Sequence, residues 1–309
     1  MALPTVTQTF AGVDAGFYIS AALKQANSLE YLTMMENIKY KSAIQKLDST
    51  GAVQDATCDF ITGGTLTLKE AILEPKNLEV NLEICRENLL SSWTALTMRA
   101  GAGGNSPSFD EYVISYMAST IGQATENSIW GGAAAVGGEF EGFVTAATGL
   151  LVVDATVNDV ANTGGAGVAY LLADIVTNLE NATAAIPAAV YMKEDLYIYM
   201  SPGVYRLYLQ VQATAGYQQL YNMGDGFVPM FNGIKIAVCN GMTDKNLVVA
   251  ERSNLFFGTD LISDGADGRG PAIKLLDMQN IDGSDNLRIV ARYSGGVRQG
   301  IGADIVLVS

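Results

Sequence analysis

Apolar and polar residues alternate most strictly over 78–84, where Leu78, Val80, Leu82 and Ile84 face one way and Glu79, Asn81 and Glu83 the other. That period of two predicts a half-buried strand. Upstream, the alternation from Ile38 to Leu47 predicts another strand, with Lys39 and Lys41 on one face. Between Asp48 and Glu74 the chain carries DSTG, the Gly63–Gly64 pair and the β-type run TLTL, which predicts a long hairpin excursion with little core of its own. Asp14 is placed to cap a short helix before these strands.

The period then changes to that of a helix. Ser108 and Glu111 have the spacing of a capping box, and Phe109, Tyr112, Val113, Tyr116, Met117 and Ile121 recur on one face. The helix is expected to stop near Trp130, with Gly131 and Gly132 supplying a left-handed exit. After the Gly-rich turn TGGAG, a second helix carries Leu172, Ile175, Val176 and Leu179, with Pro187 past its end. A buried strand is expected at AAVYM, 188–192. Ser201 and Pro202 have the chemistry of a helix start, ahead of Val204, Tyr208 and Val211. Strands are predicted at 234–239, 246–250, 254–258, 272–278 and 286–294. The mixed order without βαβ repetition gives an α+β fold class.

With 309 residues and 49% hydrophobic content the chain can bury a sizeable core. Eighteen Lys and Arg stand against 32 Asp and Glu, for a formal charge of −14. This excess removes general attraction to a phosphate backbone, so sequence-specific nucleic-acid binding is not expected. Cys58, Cys85 and Cys239 are odd in number and lack CxxC spacing, which fits ordinary thiols in a reducing compartment. MALPTVTQTFAG lacks the basic region and apolar run of a secretory signal, and Gly, Asn, Thr or charge interrupts each apolar stretch short of a bilayer span.

The chain contains no histidine. Ser-His-Asp and Cys-His catalysis and every imidazole-dependent zinc site are therefore excluded. TGGAGVAY lacks the Lys-Ser/Thr of a phosphate-binding loop. The pairs Glu139/Glu141 and Asp264/Asp267 are candidate carboxylates for a glycosidase or a calcium site, with ordinary turn chemistry as the other account. No cofactor or metal is expected.

Taken in order, the hairpin region 38–98, the long helix running into TENSIWGG and GEFEGF, MKEDLYIYMSPGVYRLYLQ, GFVPMFNGIKIAVCNGM, and NLFFGTDLISD with the strands after it resemble the tailed-phage major capsid proteins of the Hong Kong 97 type. The resemblance covers almost the whole chain. It implies an amino-terminal arm (1–37), an extended loop (38–77), a peripheral domain with a spine helix (78–150 and 263–309) and an axial domain (151–262). It also implies a non-enzymatic subunit that self-assembles as hexamers and pentamers into an icosahedral shell around double-stranded DNA, formed in a bacterial cytoplasm. Scaffold, portal and decoration proteins are the implied partners, with no membrane.

In such a shell Lys39, Lys41 and Lys46 form a local basic cluster that could meet Asp110, Glu111 or Glu126 on a neighbour's long helix; a solvated strand face is the alternative. An encapsulin-like nanocompartment shares the implied fold. A soluble hydrolase or calcium-bound adhesin stands as the alternative of a different class.

Overall fold

The computed structural model describes residues 27–51, 53–56, 58, 62–85, 109–191, 193–214, 229–260, 274–278, 281, 283–284 and 286–309. The proposed helix cap at Asp14 and the capping residue Ser108 lie outside them. In chain order the strands and helices are β1 (Thr33–Met35), β2 (Ser42–Thr50), β3 (Thr65–Leu73), β4 (Lys76–Cys85), α1 (Phe109–Gly131), α2 (Leu150–Val153), β5 (Asn158–Val160), α3 (Ile175–Ala184), β6 (Leu196–Met200) and α4 (Pro202–Thr214). They continue as β7 (Met230–Phe231), β8 (Ile234–Val238), β9 (Leu247–Glu251), β10 (Leu255–Gly258), β11 (Lys274–Asp277), β12 (Asn286–Gln299) and β13 (Val306–Val308).

The chain forms two compact units. The smaller comprises residues 1–23, 79–121 and 265–292. Within it β11 runs antiparallel to the first part of β12, with Leu275 opposite Ile289. Glu83 and Glu79 on β4 meet Arg288 at 3.2 Å and Arg292 at 3.7 Å. These exposed pairs set register more than they add stability. On the described part of the first half of α1, Met117 is buried but Tyr116 is exposed, so the predicted apolar face is narrower than its spacing suggests.

The larger unit holds the core. Its six-stranded sheet has the order β5-β13-β9-β6-β8-β7. All five residues of β9 are buried, which requires cover on both faces, and the alternation of side chains divides them. Leu247 and Val249 join Ile198, Met200, Val306 and Val308 in a cluster with Ile175 and Leu179 of α3 and Val204 and Tyr208 of α4. Val248 and Ala250 join Tyr199 and Leu307 in a second cluster with Ile129 and Trp130 of α1 and with Phe140 and Phe143. α4 begins as its sequence predicts: the Val204 N–H donates to the Ser201 hydroxyl at 3.1 Å, and Pro202 occupies the first turn, where a missing N–H costs nothing.

Three expectations change. The described part of AAVYM, 188–191, is a turn, because Pro187 opens it with the Val190 and Tyr191 N–H groups bonded to the Pro187 carbonyl, and the buried strand is Leu196–Met200 instead. Leu172 is exposed ahead of α3. Gly131 and Gly132 are not among the positive-φ residues. Gly132 is needed for space: a Cβ there would lie 2.3 Å from the Phe140 carbonyl oxygen.

Cys239 is fully buried, and burial pushes its thiol up to about 12, so it stays protonated at neutral and mildly alkaline pH. Cys58 is exposed. A thiol reagent at pH 8 should therefore modify Cys58 in the native protein and reach Cys239 only after denaturation. Rapid native labelling of Cys239 would contradict this packing.

Candidate subunit interface

β2 and β3 form a two-stranded antiparallel ladder over its full length, from Ser42 opposite Leu73 to Thr50 opposite Thr65. The register sorts the side chains. Ala43, Gln45, Leu47 and Ser49 share a face with Ile72, Glu70, Leu68 and Leu66, while Ile44 and Lys46 share the other with Ala71 and Lys69. The first face carries four large apolar side chains in the open: Leu47 is 64% exposed, Leu66 68%, Leu68 62% and Ile72 47%. Among the described residues nothing covers them. An isolated two-stranded ribbon is marginal in water, and a cluster of exposed leucines marks an interaction surface.

The other face of the hairpin looks toward the body of the same unit. Ile44, Lys46, Lys69 and Ala71, with Gln45, Leu47 and Glu70 beside them, border an open groove of about 730 Å³ whose lining also includes Glu251, Arg298 and Asp304. Lys193, also in the lining, pairs with Glu251 at 2.6 Å. The face with the four large exposed apolar side chains, which also carries Gln45 and Glu70, thus points away from the body, while Lys46 and Lys69 share the groove side with the half-buried Ile44 and Ala71.

The lysines singled out from sequence occupy three different settings. β2 starts at Ser42, so Lys39 and Lys41 precede the strand and do not share a strand face. Lys39 is exposed. Lys41 pairs with Glu74 at 2.9 Å and lies 5.2 Å from the centroid of the Tyr40 ring. The hydrogen bond to Glu74 first, and its charge second, hold this ammonium above the ordinary lysine value. Lys46 is half-buried on the strand, directly opposite Lys69.

Asp110 and Glu111 stand in the first turn of α1, and their side chains lie outside the described residues. Glu126 is turned inward and fully buried. The Ser28 hydroxyl donates to its Oε1, the Ser28 N–H to Oε2 at 3.1 Å and the Gly241 N–H to Oε1 at 3.0 Å. The indole N–H of Trp130 donates in turn to the Ser28 hydroxyl at 2.7 Å. A carboxylate enclosed by these donors is committed inside its own subunit, which corrects its placement among surface contacts. Spacing along a helix does not show this, because Ser28 and Gly241 are remote in sequence.

Among the described residues no group of three His, Cys, Asp or Glu could hold a metal ion. Glu139 and Glu141 are occupied as caps, accepting the N–H groups of Ala133 at 3.1 Å and Ala134 at 2.9 Å. Asp264 and Asp267 lie outside the described residues. No helix of the described residues is long and apolar enough to cross a membrane.

No protein-family model matches the chain, and no curated protein does. Solved structures do. The capsid of the Myoviridae phage XM1 superposes with a TM-score of 0.60 at 10% identity, covering 100% of this chain and 99% of that one. The capsid of a native GTA particle gives 0.59 at 11% identity, with 100% and 95% covered. A procapsid of satellite phage P4 that includes a size-determination protein gives 0.53 at 10% identity, with 91% and 93% covered. The chain has the mixed α and β fold of the Hong Kong 97 type phage capsid proteins, as the ordered segments of its sequence imply.

Proposed function

We propose that this chain is a major capsid protein: a structural subunit, not an enzyme, that assembles as hexamers and pentamers into the icosahedral shell of a tailed bacterial virus around double-stranded DNA. The observation that carries the reading is the outward leucine face of the β2–β3 hairpin on a chain with a capsid fold over its whole length. In this reading the occupant of that face is a second copy of the chain. Such a covering copy offsets the marginal stability of a bare ribbon.

The four-part division that the resemblance implies carries over, with 1–37 as arm, 38–77 as extended loop, 78–150 and 263–309 as peripheral domain and 151–262 as axial domain, although β13 (Val306–Val308) pairs within the sheet of the 151–262 segment. Lys39 would set register against Asp110 and Glu111 of a neighbour at ~0–1 kcal/mol, with Lys41 already held by Glu74 and Lys46 turned to the groove of its own unit. The formal charge of −14 means that DNA inside is retained by confinement and counterions, not by direct contacts. Scaffold, portal and decoration proteins are the partners this role needs, and the virion, built in the host cytoplasm, is its location.

Negative-stain electron microscopy tests the reading, on protein expressed alone and with candidate scaffold partners. Closed particles, tubes or ring-shaped hexamers and pentamers are the expected result. A strictly monomeric protein under all these conditions would overturn it, and closed particles loaded with an enzyme instead of nucleic acid would reassign the shell to a nanocompartment.

A further inference from the structure

Both chain ends of the hairpin are fixed to the larger unit, by different means. On the apolar side, Leu73 closes β3 fully buried against Gly258, where a Cβ would lie 2.7 Å from Leu73 Cδ2 and 2.9 Å from Ile38 Cδ1. Just outside the ladder, the Lys41–Glu74 pair ties the two roots to each other.

Beside the Ile38 N–H, which donates to the Thr259 carbonyl at 3.1 Å, the polar fixing is at Lys76, where β4 begins. Its Nζ donates to the carbonyl oxygens of Glu139 at 2.6 Å, Ala134 at 3.0 Å and Val136 at 3.5 Å. An ammonium has three donors and no acceptor, so these carbonyls take up its whole capacity. All three belong to the loop that follows α1. That loop is held in shape by the Glu139 and Glu141 carboxylates on the N–H groups of Ala133 and Ala134, and by the Gly142 N–H on the Gly132 carbonyl at 2.9 Å. A lysine whose charge is met by carbonyl dipoles, at a site where water could satisfy the same carbonyls, contributes direction more than folding energy.

We propose that Lys76 is a positioning residue that clamps the root of the hairpin to the loop after α1 and so sets the direction in which the leucine face is presented. The clamp rests on the reading of that face as a subunit interface. Without it, Leu73 and Ile38, with the Ile38 N–H on the Thr259 carbonyl at 3.1 Å, remain as a pivot, and the hairpin can swing about them while the rest of the unit stays folded.

The test is Lys76→Met, which keeps the apolar stem and removes the three donors, with Lys76→Gln as a second variant in case the first folds poorly. Hydrogen exchange is measured on the unassembled, full-length subunit, and particle formation by light scattering and microscopy. The expected result is exchange about tenfold faster at the amides of 71–77, unchanged circular dichroism, and slower assembly with misshapen particles. Parent-like exchange at 71–77 would overturn the clamp. Faster exchange with parent-like assembly would overturn the positioning role and leave Lys76 a local brace. A variant with Leu66→Asp and Leu68→Asp separates the two ideas, since it should lose assembly with unchanged exchange at 71–77. If the parent itself forms no particles, the interface reading falls and takes the assembly role of Lys76 with it.

Discussion

A subunit carrying Leu66→Asp together with Leu68→Asp should stay folded and form no particles. Both side chains stand on the exposed face of β3 and touch no core cluster, so the isolated subunit should melt within about 2 °C of the parent, in the range of ordinary surface substitutions. In a shell the same positions are covered. Each leucine buried against a neighbour contributes roughly 1.5–3 kcal/mol, and a carboxylate left there unpaired reverses the sign by several more. Because every subunit presents the hairpin, the effect multiplies around each ring, and assembly should vanish outright. Sedimentation velocity with circular dichroism checks both halves of the expectation. Intact particles would show that the face stays in water, and a collapsed subunit would show that the hairpin is part of the core.

The largest expected loss of stability is at Trp130. Its ring is fully buried, with its centroid 5.6 Å from that of Phe143 and 5.4 Å from that of Tyr199, and its N–H is spent on Ser28. Trp130→Ala should cost about 3–5 kcal/mol by the cavity it leaves. The Ser28 hydroxyl would also lose a donor beside the Glu126 carboxylate, so residues 27–32 should loosen first. Denaturant unfolding of the unassembled subunit measures the loss. A change under about 1 kcal/mol would mean that Trp130 does not anchor the core.

Much of this fold is legible in sequence because its local signals agree with its tertiary ones. Ser201–Pro202 starts a helix in both, α1 ends at Gly131, close to where its pattern fades, and β4 alternates in both as far as Val80, beyond which Leu82 is exposed against expectation. The misses have physical causes. AAVYM has strand composition, but Pro187 turns the chain there and the sheet takes LYIYM. Lys39 and Lys41 alternate as strand residues do, yet the ladder opens at Ser42 opposite Leu73.

The exposed leucine face is half legible in the sequence. TLTL and Gly63–Gly64 announce a hairpin, but which leucines share a face depends on register, and a slip of one residue would exchange the faces. Leu47 opposite Leu68 is information held by the pairing alone. Glu126 is illegible for the opposite reason: an acidic residue on a helix normally faces water, and contacts from Ser28 and Gly241 hold this one inside.

The place of β13 in the six-stranded sheet carries a consequence for biosynthesis. Val306–Val308 pairs with β5 on one side and β9 on the other, joining Val308 to Val160 and Leu247 across long stretches of chain. Until that strand arrives, a nascent chain holding β6, β8 and β9 exposes an apolar strand edge to every other chain on the same messenger. Strand pairing over such separations is slow, because loop closure precedes any gain from contact. In the proposed shell role the chain is made in many copies at once and passes through a sticky interval, so its yield of soluble subunit should respond to chaperone supply and to growth temperature before any question of shell formation arises.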